Sequence, residues 1–336
     1  MNKMIPSELL STAKTIINKI NQSNSILISS HIRPDGDAIG SVSGLLKSLL
    51  KAGIKNIEVA LADGIPDRFA FVWPSDFKII QNTQIDSKHD LVLLLDSGEE
   101  NRSGITFNRD KELTCLINID HHASNTNFGD INYVDEKASS TCEIITALLE
   151  LANFPIDEDV ASSLMLGLIT DSRSFQNEGI RYTAHVAAAT LLKAGADTKT
   201  IYTLLNSDRS EADLRVQGFG LSNFKLESND KLGVLIIKDS DLKQLNANTD
   251  NVYASGVFNM MLAMKNTLAS VVVFPGRNGV SSCEFRSRGG INVKEVAVAL
   301  GGGGHIPASG CSQNIPIQQL ADKAIELMKK QIEETD

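Results

Sequence analysis

The sequence lacks three features that would place it in whole classes of protein. No apolar run approaches the roughly 20 residues needed to span a bilayer, so we expect neither a transmembrane segment nor a membrane partner. The 4 cysteines show no CxxC or zinc-ribbon spacing, which favours buried, reduced thiols in a cytoplasmic protein. A net charge of −9 offers no positive excess for the broad basic surface that holds long nucleic acid. A small anionic substrate in a local positive pocket stays compatible with this composition.

The N-terminal segment shows no signal-peptide pattern, because polar residues interrupt an amphipathic apolar stripe that runs from Leu9 to Ile20. The 336 residues include 42% hydrophobic and 22% charged residues, as in ordinary globular proteins. A chain of this length favours two domains over one.

Apolar runs alternate with helical patterns in the first half of the chain. The run Leu91–Leu95 is continuous and ends in Asp96, which suits a strand buried on both faces of a parallel sheet. The alternation predicts an α/β fold with a doubly wound parallel sheet. The predicted strands are 25–30, 56–61, 77–80, 91–95 and 113–119, and the predicted helices are 38–52, 139–153 and 158–170.

The second half changes character. Residues 183–224 read as wholly helical, with Gly195 separating two segments, and they predict a helical connector. Beyond it we predict a smaller α/β domain with a mixed sheet. Its predicted strands are 232–237, 268–274 and 280–286, and its predicted helices are 239–247, 250–264, 292–300 and 316–334. The predicted domains are therefore 1–183, 184–224 and 225–336.

Ionisable side chains gather where these elements end. Pro34 and Gly36 shape the first such turn, which follows the strand at 25–30. The carboxyl ends of parallel strands meet at one edge of a sheet, where ligands bind. The candidates are His31, Asp35, Asp37, Asp96, Asp120, His121, His122 and Asp171.

Carboxylates with imidazoles and without thiolate predict Mn²⁺ or Mg²⁺, and imidazole favours Mn²⁺. The candidates exceed what one tetrahedral site needs, but they fit two metals that share a bridging carboxylate. Two divalent ions would cancel the charge of four carboxylates, which would otherwise repel one another. Taken singly, His31 could make an ordinary polar contact, Asp37 could cap a helix, and Asp171 could be a surface residue.

A glycine run marks the C-terminal half. Gly301–Gly304 and His305 follow the helix predicted at 292–300, and a loop of bare backbone N–H groups could form an anion-binding nest. A hinge is the alternative. Arg286, Ser287 and Arg288 end a neighbouring strand and suit phosphate binding. Strand alternation favours Arg286, whereas Arg288 could be solvated surface.

Six motifs, in this order, resemble those of the DHH phosphoesterase superfamily, in the branch with a DHH-associated C-terminal domain. Within it, the chain is most similar to the small bifunctional oligoribonucleases/3′,5′-bisphosphate nucleotidases called nanoRNases. The motifs are HIRPDGDAIGS at 31–41, LLLDSG at 93–98, IDHHASN at 119–125, LITDSRSF at 168–175, FRSRGG at 285–290 and GGGGHIPASG at 301–310.

This resemblance implies a residue set and a location, the cleft between the two domains. Asp96 would bridge two Mn²⁺ ions, and Asp120 and His122 would lie beside the metals as catalytic residues. The implied metal ligands are His31, Asp35, Asp37, Asp96, His121 and Asp171. The implied substrate-binding residues are Arg286, Ser287, Arg288, Gly302, Gly303, Gly304 and His305. The chain departs from the family at Ser172-Arg173, where relatives more often have Thr and Gly.

The resemblance also implies a reaction: two-metal hydroxide attack on phosphorus in very short RNA, with removal of the 3′-phosphate of pAp as a second activity. Hydrolysis of pApA or cyclic di-AMP is the alternative within enzymes. An idle nucleotide-binding protein is the alternative outside them, although no metal ligand is lost. We also expect a cytoplasmic protein that can form a homodimer and takes no long duplex.

Overall fold

The computed structural model describes residues 4–85, 88–107, 114–177, 179–206, 209–288 and 290–335. Leu113, the predicted first residue of a strand, and Gly289 of the FRSRGG motif lie outside these ranges. The chain divides into two compact units, Met1–Leu205 and Asn206–Asp336. The three-part domain division drawn from the sequence stays a prediction.

The first unit contains a five-stranded parallel sheet with the strand order β2-β1-β4-β6-β7. The short strands β3 and β5 form a separate parallel pair. The elements are α1 (Leu10–Gln22), β1 (Ile26–Ser29), α2 (Gly36–Lys51), β2 (Ile57–Ala60), β3 (Gln84–Ile85), β4 (Leu91–Leu95), β5 (Thr106–Phe107), β6 (Cys115–Asp120), β7 (Ile131–Val134), α3 (Thr141–Ala152), α4 (Glu158–Asp171), α5 (Tyr182–Lys193) and α6 (Thr198–Asn206).

Side-chain alternation divides the core of this unit between the two faces of the sheet. Leu91, Leu93 and Leu95 of β4 belong to the large core formed with α2, α3 and α4. Val92 and Leu94 face the other way, into a smaller cluster. All five residues of β4 are buried, which confirms the prediction of a strand covered on both faces.

The second unit contains a six-stranded mixed sheet with the order β12-β13-β11-β10-β9-β8. Only β9 and β10 pair in parallel among its described strands. The elements are α7 (Glu211–Asn223), β8 (Lys225–Glu227), β9 (Leu232–Ile236), α8 (Asp239–Gln244), α9 (Thr249–Ala254), α10 (Val257–Met260), β10 (Ala269–Pro275), β11 (Ser281–Ser287), α11 (Val293–Ala299), β12 (Gly303–His305), β13 (Ala308–Gln313) and α12 (Ile317–Glu333).

Helices cover both faces of this second sheet. Val271 and Val273 pack in one cluster with Leu320 and Met328 of α12. Val272 packs on the opposite face, in the cluster that contains side chains of α7, α9 and α10. A parallel-sheet unit, a helical middle and a mixed C-terminal sheet confirm the predicted fold class.

Three local predictions were wrong. The proposed strand at 77–80 reduces to one bridge between Ile80 and Ala60. The single helix predicted at 250–264 is divided at Gly256, whose φ of 72° is left-handed and precedes α10. The described residues of 183–224 form three helices rather than two, and Ser210 caps the third with a capping box.

Candidate metal centre

The order of the sheet explains why the first ligand candidates meet. From β1 the chain moves to β2 on one side and then to β4 on the other, so the strand order reverses between β1 and β4. Such a switch point opens a crevice at the carboxyl ends of the strands. His31 and Asp35 follow β1, and Asp96 follows β4.

Asp96 occupies the middle of the cluster. Its Oδ2 lies 3.5 Å from His31 Nε2, and its Oδ1 lies 3.6 Å from His121 Nε2. His121 Nε2 also lies 3.2 Å from Asp171 Oδ2 and 3.9 Å from Asp37 Oδ2. Among the described residues, the sets able to hold a metal are His31–Asp35–Asp96, Asp37–His121–Asp171 and Asp96–His121–His122. All six predicted metal ligands are therefore brought together.

Asp96 has a left-handed backbone, with φ of 53°. Asp visits this region more readily than most residues, but the conformation still costs free energy. Strain of this kind concentrates at functional sites. Asp96 is also only 2% exposed.

The imidazoles of His31 and His121 are oriented in the same way. His31 Nδ1 lies 2.8 Å from the carbonyl oxygen of Ile32, and His121 Nδ1 lies 3.3 Å from that of Ala138. A proton on Nδ1 would be donated to the carbonyl, which leaves Nε2 as the ligand atom. Both Nε2 atoms face the carboxylates.

The sequence did not show how Asp37 is held. Its Oδ2 accepts the N–H of Thr141 at 2.6 Å, and its Oδ1 accepts that of Cys142 at 2.9 Å. These are the first amides of α3, where the helix dipole favours a carboxylate. Thr141 Oγ1 also donates to Asp96 Oδ1 at 3.1 Å. Asp37 lies in the first turn of α2 but does not cap that helix. The cap is Asp35, whose carboxylate accepts the N–H groups of Asp37 and Ala38.

Two glycines permit close approach at this site. A Cβ on Gly36 would lie 2.4 Å from Thr170 Oγ1, so the glycine of the first turn serves packing against α4. A Cβ on Gly167 would lie 2.6 Å from Asp37 Oδ1 and 2.3 Å from Cys142 Sγ. Only glycine leaves room for the Asp37 carboxylate beside α4.

The protonation behaviour follows from this crowding. Burial opposes charging of His31, but the hydrogen bond and charge of Asp96, with the charge of Asp35, raise its pKa to about 9. Burial, together with the charges of Asp96 and Asp35, raises the pKa of Asp171 to about 6, against the opposing charges of His121 and His122. Burial and three neighbouring carboxylates also raise the pKa of Asp37.

Asp96 behaves in the opposite way. Burial opposes its ionisation, but the hydrogen bond from His31 and the charges of three histidines hold the pKa of Asp96 well below its usual range. The site therefore keeps its central carboxylate ionised and needs compensating positive charge.

Asp120 and His122 form an adjoining pair. His122 Nδ1 lies 2.7 Å from Asp120 Oδ1, and Asn125 Nδ2 donates to Asp120 Oδ2 at 2.6 Å. Asp120 is fully buried, whereas His122 is 19% exposed. Asp120 thus lies behind His122 and orients its ring. The catalytic roles of both residues stay predictions.

The predicted substrate residues lie in the second unit. Arg286 Nη1 donates to Glu284 Oε2 at 2.9 Å and to the carbonyl of Phe285 at 2.8 Å, and its guanidinium lies over the ring of Phe258. Burial raises the pKa of Glu284, and the charge of Arg286 opposes that rise. A carboxylate therefore already accompanies the arginine.

Arg288 and Ser287 make structural contacts. Arg288 donates from Nε to the carbonyl of Thr267 and from Nη2 to those of Met264 and Lys265. Ser287 Oγ donates to the carbonyl of Ile291 at 2.6 Å. The substrate-binding roles of both residues stay predictions.

The glycine run is not the loop that the sequence predicted. Gly303–His305 form the edge strand β12, paired with β13. Gly302 must lack a side chain because a Cβ would lie 2.1 Å from the carbonyl oxygen of Gly310, and Gly304 has φ of 138°. Close strand pairing thus explains part of the glycine content. His305 is exposed on this edge, and its substrate role and those of Gly302, Gly303 and Gly304 stay predictions.

Arg173 departs from the family pattern in a strained position. Arg173, Ser174 and Phe175 have φ values of 50°, 56° and 63° in succession. The turn is fixed by Ser172 Oγ, which accepts the N–H of Phe175, and by the stacking of Phe175 on His185. It holds Arg173 exposed, two residues from Asp171.

The donor set fits divalent cations. Four carboxylates and two imidazoles, without thiolate, suit Mn²⁺ and Mg²⁺ by ligand type. Burial and neighbouring carboxylates raise the pKa values of Asp37 and Asp171, as expected of carboxylates gathered for a cation.

Two family models match the chain. The model described as the DHH family, N-terminal domain, covers residues 25–168, and the DHHA1 domain covers residues 231–334. They span the parallel-sheet region and the mixed-sheet region respectively.

Curated relatives align along nearly the whole chain. A Mycoplasma genitalium protein described as bifunctional oligoribonuclease and PAP phosphatase NrnA is 31% identical, covering 94% of this chain and 96% of its own. A Thermus thermophilus protein of the same description is 27% identical, covering 91% and 90%. The cyclic-di-AMP phosphodiesterase GdpP of Geobacillus thermodenitrificans is 26% identical, covering 94% of this chain but 47% of its own.

Solved structures share the fold. An exopolyphosphatase-related protein from Bacteroides fragilis has a TM-score of 0.83 at 23% identity, covering 95% of this chain and 96% of its own. This likeness shows the architecture alone.

The fold and these relatives define a class: the protein is a phosphoesterase, a hydrolase whose family is metal-dependent. The chain belongs to the DHH family and carries a DHHA1 domain, which confirms the resemblance inferred from its motifs. No helix among the described residues is both long and apolar enough to cross a membrane.

Proposed function

We propose that this protein hydrolyses very short oligoribonucleotides to mononucleotides and removes the 3′-phosphate of pAp, with two Mn²⁺ ions or, in their place, Mg²⁺. The observation that carries the proposal is Asp96, whose two oxygens face separate groups of ligand atoms. The names of relatives that align end to end with the chain support the substrate class.

The residues divide into two ligand groups. His31 and Asp35 would hold one ion. The other ion would be held by Asp37, His121 and Asp171, and Asp96 would be shared by both ions. When bound, the two ions would supply an activated water and neutralise charge that develops on the phosphate oxygens. The chain's own contribution is to fix the ligands: both imidazoles rest on backbone carbonyls, and α3 holds Asp37 by its first amides.

His122 would contact the reacting phosphate. Burial lowers its pKa, but the hydrogen bond and charge of Asp120 and the charge of Asp96 outweigh that effect and raise it. A protonated His122, held in orientation by Asp120, can donate a hydrogen bond to an anionic oxygen. Asp120 therefore acts as a positioning residue in this proposal.

The second unit would bind the remainder of the substrate. Arg286 supplies a guanidinium partly desolvated by Phe258, and β12 exposes backbone N–H groups and His305 on a sheet edge. We expect the protein to act on very short RNA but not on a long duplex, because its net charge of −9 offers no positive excess for a broad basic surface.

The substrate class is tested by comparing kcat/KM in Mn²⁺ for pAp, pApA, RNA of two to five nucleotides, and cyclic di-AMP. We expect the highest values for pAp and the shortest RNAs. A preference for inorganic pyrophosphate or for long DNA would refute the assignment.

The bridging role is tested by Asp96→Asn, because Asn tolerates the left-handed backbone and keeps the side-chain shape. We expect turnover to be abolished and the second equivalent of bound Mn²⁺ to be lost. Asp159→Ala, which removes an exposed partner of Lys51, is the control and should change neither quantity. Full activity of Asp96→Asn with two bound ions would exclude a bridging carboxylate.

Hydrolysis of cyclic di-AMP or linear pApA is a second candidate. The relative named as a cyclic-di-AMP phosphodiesterase supports it, since nearly all of this chain aligns within about half of that protein. Cleavage of cyclic di-AMP faster than RNA dinucleotides would favour this candidate. A homodimer in the cytoplasm stays a prediction.

A further inference from the structure

A buried polar cluster lies beside the metal centre but supplies none of its proposed ligands. We call it the Arg181 cluster, and its members are Asp135, Ser139, Glu143 and Arg181. Asp135 follows β7, Glu143 lies in the first turn of α3, and Arg181 precedes α5. Glu143 is 2% exposed and Asp135 is 8% exposed, so the cluster is largely removed from solvent.

One guanidinium faces two carboxylates here. Arg181 Nη2 lies 2.5 Å from Asp135 Oδ2 and 3.7 Å from Glu143 Oε1. Asp135 and Glu143 lie at opposite ends of the segment 135–143, which joins β7 to α3. Arg181 therefore holds both ends of one short connection.

The middle of that connection supports His121. The carbonyl of Ala138 is the group that His121 Nδ1 faces at 3.3 Å. Ala138 is itself fixed, because its N–H donates to the carbonyl of Asp135 at 2.9 Å. Asp135 also donates its N–H to the carbonyl of Asp120, beside His121 in the chain. Displacing Asp135 would move the support of the imidazole.

The far end of the connection supports Asp37. Glu143 Oε2 accepts the N–H of Ser139 at 2.8 Å, and Ser140 Oγ accepts the N–H of Glu143 at 3.0 Å. These bonds set where α3 begins. The amides of Thr141 and Cys142 lie between these two bonds in the chain, and they hold the Asp37 carboxylate.

Stability alone does not explain this cluster. Four buried side-chain atoms lack a hydrogen-bond partner within the described part of the chain. Three of them, Ser139 Oγ, Glu143 Oε1 and Arg181 Nε, belong to the cluster, and the fourth, Thr183 Oγ1, lies two residues after Arg181. Such unsatisfied groups cost free energy, and buried ion groups are often replaced by apolar residues without loss of stability. A cluster of this kind is better explained by what it positions.

We propose that Arg181 is a positioning residue of the metal centre: by holding Asp135 and Glu143 together, it places the Ala138 carbonyl under His121 and the first amides of α3 on Asp37. The inference rests on the proposed function, since it takes His121 and Asp37 to be metal ligands. Supports of this kind orient metal ligands, and their removal typically costs about 10–100-fold in metal affinity.

The test measures Mn²⁺ binding by calorimetry and amide hydrogen exchange of the metal-free protein, in Arg181→Met, Arg181→Lys and wild type. We expect Arg181→Met to bind Mn²⁺ about 10–100-fold more weakly and to lose exchange protection at Ser139, Thr141 and Cys142. Arg181→Lys keeps the charge and should recover part of the Mn²⁺ affinity and part of the exchange protection. Lys51→Met removes a peripheral ion pair of the same unit and should match wild type.

Wild-type affinity and wild-type exchange in a folded Arg181→Met would overturn the proposal. If Arg181→Met does not fold, Arg181→Lys decides by the same two readouts, with an intermediate loss expected and wild-type values contradicting us. If wild type binds no Mn²⁺, the proposed function fails instead, and the exchange comparison still decides whether Arg181 orders the segment.

Discussion

The replacement Gly167→Ala tests the packing that holds Asp37. The added Cβ would lie 2.3 Å from Cys142 Sγ and 2.6 Å from Asp37 Oδ1, where ordinary contacts begin at 3.4 Å. Neighbouring atoms must therefore retreat by about 1 Å, and both are fixed: Cys142 is fully buried, and Asp37 accepts two amides of α3.

The magnitude follows from two opposing effects. Overpacking of a buried site costs about 1–3 kcal/mol, whereas Ala in place of Gly within a helix gains about 0.5–1 kcal/mol. We expect a net loss of about 1–2 kcal/mol in the free energy of unfolding. Because the carboxylate must move, we also expect Mn²⁺ affinity to fall about tenfold or more.

Urea unfolding and Mn²⁺ calorimetry measure the two quantities. Gly218→Ala is the matched control, because a Cβ there meets nothing within 4 Å and should raise stability slightly. Adding Cys142→Ala to Gly167→Ala removes the contact with sulfur but not the one with Asp37. The double variant should therefore recover stability more than affinity. Equal stability and Mn²⁺ affinity in Gly167→Ala and Gly218→Ala would refute the reasoning.

Three further predictions concern charge and backbone. Protonated His31 stabilises the metal-free protein below pH 6.5, and this contribution is lost as pH rises through its folded pKa of about 9. The free energy of unfolding measured in urea should therefore fall by up to about 3 kcal/mol across that window. An unchanged free energy of unfolding would contradict the raised pKa. Arg173→Gly should raise the free energy of unfolding by about 0.5–1 kcal/mol, because glycine adopts φ of 50° without strain. A lower melting temperature would show that the arginine side chain contributes packing. Arg288→Met should lower stability by about 1–3 kcal/mol through the loss of three hydrogen bonds to carbonyls, and a raised KM for pAp at unchanged stability would support the substrate role instead.

The ligand cluster was predictable because its residues follow strong patterns. Asp96 ends an apolar strand, and His121 follows another, so the rule that strand ends converge sufficed to bring them together. What holds them was not predictable in the same way. The amides of Thr141 and Cys142 are backbone groups with no signature of residue type.

Two features that the sequence did not show, strand β12 and the Arg181 cluster, have no apolar periodicity. Gly303–His305 has no side chains that favour a strand, and its pairing depends on β13 rather than on its own sequence. The Arg181 cluster joins residues that lie in or next to three elements, β7, α3 and α5, and Glu143 and Arg181 are 38 positions apart in the chain. Charged residues at that separation give no sign that they meet in the core. Tertiary packing decides both cases.

The bonds between Asp37 and α3 have a practical consequence for spectroscopy. The N–H groups of Thr141 and Cys142 point at the two oxygens of one proposed metal ligand, at 2.6 and 2.9 Å. Hydrogen-bonded amide protons shift in resonance when the charge on their acceptor changes. These two backbone signals should therefore report loading of the centre in the unmodified protein, with no dye, no reactive tag and no substrate, and with diamagnetic Mg²⁺ as the titrant.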